Sequence, residues 1–177
     1  MSTTQQGLID RFVDTLVIVH REGKHLGFSR QRVFAEAVTA ERIRRLDHEP
    51  EAAERLEAFV SRFGRMQDTI GNKLLPRWLR AQAEEPGTLI QVLNRAERLG
   101  VLASTENWLS ARALRNRLVH EYMEDPDTFA EDLQTAEGYT SMLLATHDRV
   151  RDFAIRRMQL PESSLPAPLQ TERPASD

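Results

Sequence analysis

The chain has 177 residues, 40% of them apolar and 29% charged, which suits one globular domain. It contains no cysteine, and this excludes disulfide scaffolds, thiol catalysis and thiolate metal sites together. A net charge of −3 excludes a polycation, so any nucleic-acid contact must come from a local patch. No apolar run approaches the roughly 20 residues that span a bilayer, and Met1-Ser2-Thr3-Thr4-Gln5-Gln6 has no signal-peptide layout. The expectation is a soluble, cytoplasmic protein with no membrane partner.

The hydrophobic pattern is helical almost throughout. Leu8, Phe12, Leu16 and Val19 mark one face of a first helix over about residues 4 to 24, which Gly23 and Gly27 are expected to break. A second helix is expected from about Ser29 to Leu46, with Val33, Ala37 and Ile43 as a weak apolar side. Pro50 suits the first turn of the next helix. From Ala52 to about Ala83, Leu56, Phe59, Phe63, Met66, Ile70 and Leu74 form the cleanest stripe in the chain, with Pro76 expected to kink or end it. Gly64 and Gly71, seven apart, share a face and could admit a close helix.

Pro86-Gly87 is a turn, Thr88 a helix N-cap and Gly100 a C-terminal stop, bracketing Leu89, Val92, Leu93, Ala96 and Leu99. Ser104 or Thr105 opens a helix carrying Trp108, Ala111, Leu114 and Leu118, and Asp125-Pro126 interrupts it. A last long helix covers about Asp127 to Met158, with Phe129, Leu133, Ala136, Leu143, Val150 and Ala154 in one stripe. Residues 161–177 hold four of the eight prolines and are expected to be a disordered tail beyond a 1–160 domain. No stretch alternates with period two. The fold class expected is all-α, an up-and-down bundle of four to six helices.

Most chemical motifs are absent. There is no glycine-rich phosphate loop, no His-Glu-x-x-His zinc helix and no nucleophile elbow. The acidic cluster of Glu121, Glu124, Asp125 and Asp127 reads as a helix end followed by a helix start, and His147 as a hydrogen-bonded core histidine.

One segment concentrates chemistry: Arg112-Ala-Leu-Arg115-Asn116-Arg117-Leu-Val-His120-Glu-Tyr122. In a chain of this composition an Arg and a His separated by four residues occur by chance about 0.6 times, but the added Asn and Tyr lower the expectation to about one in ten thousand. Arg115-Asn116-x-x-x-His120-x-Tyr122 resembles the Arg-x4-His-x-Tyr signature of the HEPN superfamily, in its HepT-like branch. The surroundings are also similar: Phe63-Gly-Arg-Met-Gln-Asp68, Lys73-Leu-Leu-Pro76 and Leu93-Asn-Arg-Ala-Glu-Arg-Leu-Gly100. The resemblance covers about residues 50 to 158, leaving the segment near 29–46 and the tail outside it.

That resemblance implies a helical homodimer acting as a metal-independent endoribonuclease toxin, with no cofactor and with RNA as substrate. Arg115 and His120 would line a cleft between two subunits. It also implies a cognate MNT-type nucleotidyltransferase antitoxin that silences the toxin by transferring AMP to Tyr122. Asn116 is carried over as a weaker member of the motif; Arg112 and Arg117 are added from position as supporting RNA contacts.

The residue chemistry is compatible. Cleavage without metal requires a 2′-hydroxyl to lose its proton, the phosphorane charge to be stabilised and the leaving oxygen to be protonated. Histidine exchanges a proton near neutral pH, and arginine holds phosphate with two donors. On an ideal helix, however, His120 lies about 140° around the axis from Arg115, whereas Tyr122 lies only about 20° from it. Either the helix loosens near Glu121, or the site is assembled across a two-fold axis. A different class of function is a non-catalytic helical substrate-binding or scaffolding partner of a nucleotidyltransferase; a third is an unrelated regulatory bundle.

Overall fold

The computed structural model describes residues 3–121 and 124–170, and among them there is helix but no strand. Helix α1 spans Thr3–Val33, α2 Ala40–Arg45, α3 Pro50–Thr69, α4 Leu75–Ala81, α5 Leu89–Arg98, α6 Thr105–Glu121 and α7 Pro126–Arg156. Their apolar stripes meet in a single core. No helix among the described residues is long and apolar enough to cross a membrane.

The expected break at Gly23 and Gly27 does not occur: α1 runs on to Val33. Phe12, Leu16, Val19, Gly23, Leu26 and Val33 are all buried on the same stripe. Gly23 therefore occupies a core position, and the apolar residues beyond it offset the roughly 1 kcal/mol that a helical glycine costs. The expected helix over 29–46 is corrected accordingly. Its first turn belongs to α1, a turn follows, and α2 starts afresh at Thr39, whose hydroxyl accepts the Arg42 N–H at 3.2 Å. Arg42 fixes this corner by donating Nη1 to the carbonyls of Val33 and Glu36, both at 2.7 Å, at the carboxyl end of α1.

Pro50 occupies the first turn of α3, and Leu56, Phe59, Phe63 and Met66 are buried along it. Between α3 and α4 the backbone widens into a π turn over Ile70–Leu74. Pro76 has no N–H for the carbonyl four residues earlier, and its ring needs room there. The wide turn supplies that room, so the rod continues into α4 with Leu74 and Leu75 still buried.

The remaining helix ends follow the side chains that cap them. Thr88 and Gln91 form a reciprocal capping box at α5, and Gly100 takes a positive φ of 80° just past its end. Ser104 Oγ accepts the Asn107 N–H at 3.1 Å to open α6. Asp125 accepts the Thr128 N–H at 3.2 Å to open α7, and Asp127 pairs with Arg44 at 2.9 Å. The helix-end reading of these two acids holds.

Residues 161–170 are not the disordered tail expected from their prolines; they form a strap against α1 and α7. Arg151 donates Nε to the Pro166 carbonyl and Nη2 to Glu162, both at 2.7 Å. Asp148 accepts the backbone N–H groups of Leu169 at 2.7 Å and Gln170 at 2.9 Å. Leu169 rests on Gly23, where any Cβ would collide with it. Proline removes backbone donors, but here the side chains of Arg151 and Asp148 on α7 provide the partners and a missing Cβ provides the seat. The tail expectation for 171–177 lies outside the described residues.

Candidate functional site

Helix α6 presents the motif. Trp108, Ala111, Leu114 and Leu118 face the core, leaving Arg112, Asn116, Arg117 and His120 exposed and Arg115 half-buried. The helix stays α-helical through Glu121, so it does not loosen before that point. Tyr122 lies outside the described residues.

Arg115 is positioned by α3. A Cβ placed on Gly64 would sit 2.8 Å from Arg115 Nε, and one on Gly71 would sit 3.4 Å from the Trp108 ring. The two glycines are seven residues apart and meet two side chains seven apart on an antiparallel helix. Lacking Cβ atoms, they let α6 settle close to α3 and give the Arg115 side chain a channel along its surface. At the end of that channel Arg115 Nη2 donates to Asp68 Oδ2 at 2.8 Å, with Nη1 at 3.5 Å from Oδ1. The pair is half-exposed, so the ion pair itself contributes little stability; its effect is to fix where the guanidinium points.

The guanidinium faces a solvent-open cleft of about 360 Å³. Arg65, Lys73, Asn72, Thr69 and Ser61 line it together with Arg115 and Asp68. Glu22 of α1 approaches the same edge and accepts the Thr69 hydroxyl at 2.9 Å. Burial pushes the Glu22 carboxyl above its ordinary range, opposed by that hydrogen bond and by the nearby Arg65 and Lys73 charges. A cleft with three cations, short polar side chains and one committed carboxylate suits an anion with several oxygens, such as a phosphodiester.

On the other side of Arg115 the surface changes character. Leu56, Val60, Leu118 and Val119 line a groove of about 380 Å³ that also reaches Gly64 and Arg115. Val119 is 61% exposed, the most open large apolar side chain among the described residues.

The described motif residues are not gathered into one cleft by a single chain. His120 is exposed and lines neither the polar cleft nor the apolar groove beside Arg115. Arg117 turns away to α7, where Nε and Nη2 donate to the two Asp132 oxygens at 3.0 and 3.1 Å. That bidentate pair ties α6 to α7 and takes the Arg117 fork away from the Arg115 cleft. Arg112 and Asn116 remain on the exposed face.

Sequence reasoning passed over Asp68, Arg65 and Lys73 as functional groups. The signal that could have found them is the matched spacing of Gly64/Gly71 with Arg115/Trp108, which fixes the helix register and places the α3 polar face beside Arg115. Among the described residues no cluster of three or more histidines and carboxylates is arranged to hold a metal ion. No family model, no curated protein and no solved structure matches the chain.

Proposed function

We propose that the chain is a HepT-like metal-independent endoribonuclease that works as a homodimer of up-and-down helical bundles in the cytoplasm. The observation that carries this reading is the placement of Arg115, fixed by Asp68 at the mouth of a cationic cleft, on the same helix as an exposed His120. One subunit keeps the two groups apart, and a two-fold axis can bring Arg115 of one subunit to His120 of the other. The apolar groove of Leu56, Val60 and Val119, adjoining Arg115, is the surface on which a second copy would seat.

In the composite cleft, His120 takes the proton of a ribose 2′-hydroxyl. The oxygen attacks the adjacent phosphorus, and Arg115 stabilises the charge that builds on the non-bridging oxygens. The P–O5′ bond breaks, and the histidine returns its proton to the leaving 5′-oxygen. The products are a 2′,3′-cyclic phosphate and a 5′-hydroxyl, with no net gain or loss of protons. Arg112 and Asn116 serve as outer RNA contacts, while Arg117 serves the fold through Asp132.

Control is assigned to a cognate MNT-type nucleotidyltransferase antitoxin. The Tyr122 phenol oxygen attacks the α-phosphorus of ATP, pyrophosphate leaves, and AMP remains on the ring. The added phosphate then repels RNA from the neighbouring arginines.

A second reading is a non-catalytic helical partner of a nucleotidyltransferase, favoured by the pairing of Arg115 with Asp68 in the single chain. Incubating RNA with the protein in EDTA separates the two. Cleavage that disappears in Arg115→Ala and His120→Ala supports the nuclease, and no cleavage by the parent protein supports the scaffold. Transfer of one or more AMP groups, absent in Tyr122→Phe, tests the control step by mass.

A further inference from the structure

Three surface depressions line up along α3 and share their walls. Arg65 lines both the Arg115 cleft and a neighbouring depression that contains Glu22, His25 and Arg62. Arg62 in turn lines a third, of about 380 Å³, where Phe28 and Arg32 of α1 face Arg55 of α3. Arg55, Arg62, Arg65 and Lys73 follow one another along a single edge of the rod. From Arg55 to Lys73 the rise is about 27 Å, the length of about eight stacked nucleotides at 3.4 Å each.

The charges along this edge are unequally committed. Asp68 is held by Arg115, Glu22 by the Thr69 hydroxyl, Arg55 is paired with Glu51 at 3.9 Å, and Arg62 is held by the Ser29 hydroxyl at 2.6 Å. Arg65 and Lys73 are exposed and have no carboxylate at ion-pair distance among the described residues. At the far end Phe28 is 55% exposed, with the Arg32 guanidinium 5.5 Å from its ring centroid. Its surroundings are Arg and Glu rather than apolar side chains, so neither a membrane nor an apolar protein surface fits it. Arg32 lies over that ring and Glu51 and Glu54 line the same depression, so what fits a nucleobase on a phosphate backbone is the exposed remainder of the ring together with the two unpaired cations, Arg65 and Lys73.

We propose that Arg65, Lys73 and Phe28 form an extended single-stranded RNA site, in which the strand leaves the Arg115 cleft along α3 and a base stacks on Phe28. This rests on the RNA reading above, and supplies the grip outside the reacting phosphodiester that the Arg-x4-His motif alone does not.

The test is fluorescence anisotropy with a 5′-fluorescein-labelled 12-nucleotide oligouridylate and the full chain carrying His120→Ala, so that the probe stays intact. In that background Arg65→Gln/Lys73→Gln should raise Kd at least tenfold and reduce the slope of log affinity against log salt by about 1.4, from two lost phosphate contacts at about 0.7 each. Phe28→Ala should raise Kd at least fivefold and leave the slope unchanged. Arg98→Gln, on exposed α5 surface, should bind as the parent does, and circular dichroism checks that each variant is folded. Parent binding with both track variants within twofold of it would overturn the site and leave the RNA reading standing. Weakened binding in those variants without cleavage by wild-type protein would keep the site and remove the nuclease. No binding by the parent at low salt would remove both.

Discussion

A methyl group on Gly64 would lie 2.8 Å from Arg115 Nε, so the absence of a side chain on α3 decides the path of a side chain on α6. In Gly64→Ala the colliding atoms belong to a flexible arginine, which can swing aside. Alanine also favours the helix by about 1 kcal/mol over glycine. Global stability is therefore expected to change by less than about 1 kcal/mol, while Arg115 loses its bond to Asp68. RNA cleavage should fall at least tenfold in a folded protein, as measured by urea titration alongside a cleavage assay. Wild-type activity in this variant would show that the Arg115 position is not critical.

Arg117 and Arg115 are two residues apart but have different partners. Arg117 holds Asp132, whose side chain is 14% exposed, so Arg117→Ala leaves a mostly buried carboxylate without its bidentate partner. A loss of about 1 kcal/mol is expected in chemical denaturation. Cleavage by the folded fraction should stay within twofold of wild type, in contrast to Arg115→Ala.

The all-α class, the α3 core stripe, the caps at Thr88 and Ser104 and the α7 stripe were legible because each depends on neighbours within a few residues. Gly23 was not, since its role is set by Leu169, far away in sequence. The strap is hidden from the sequence for the same reason: its prolines advertise missing donors, whereas Arg151 and Asp148 supply contacts that composition does not reveal. At the site, the motif was visible as a string, but the division of labour among its arginines depends on which acids face them. Asp68 and Asp132 lie 47 and 15 residues from their partners.

The strap should be measurable as a source of stability. Leu169 is half-buried on Gly23, so Leu169→Ala is expected to cost about 1–2 kcal/mol, below the 2–5 typical of a fully buried leucine. A stop codon after Gln159 should cost more, because it also leaves Arg151 and Asp148 without their strap partners. Equilibrium urea unfolding reads both.

Stability should also depend on pH through the groups beneath the strap. His20 and His147 lie 5.5 Å apart between ring centroids, and His147 bonds Asp148 at 2.8 Å. Burial, then the His147 and Lys24 charges, hold the His20 pKa below the ordinary 6.5. The unfolded chain takes up that proton more readily, so this contribution is complete above 6.5 and declines as pH falls through 6.5 toward the folded value. Burial pushes the Asp148 carboxyl up, but its bonds from His147, Leu169 and Gln170 outweigh this and leave it below 3.8. Its contribution persists above 3.8 and is lost as pH falls toward its folded value. Urea midpoints should therefore drop between pH 7.5 and 5.5 and drop again in stronger acid, with the first drop reduced in His20→Gln. An unchanged first drop in that variant would assign it to another group.

In the proposed dimer, Arg115 of one subunit and His120 of the other act on one phosphodiester. Arg115→Ala and His120→Ala chains, co-expressed with different affinity tags and purified as the mixed dimer, test it directly by RNA cleavage in EDTA. One of the two composite sites would then hold both intact side chains, so the mixed dimer should recover about half of wild-type activity while each parental variant is inactive. A mixed dimer as inactive as its parents would contradict a site shared between subunits.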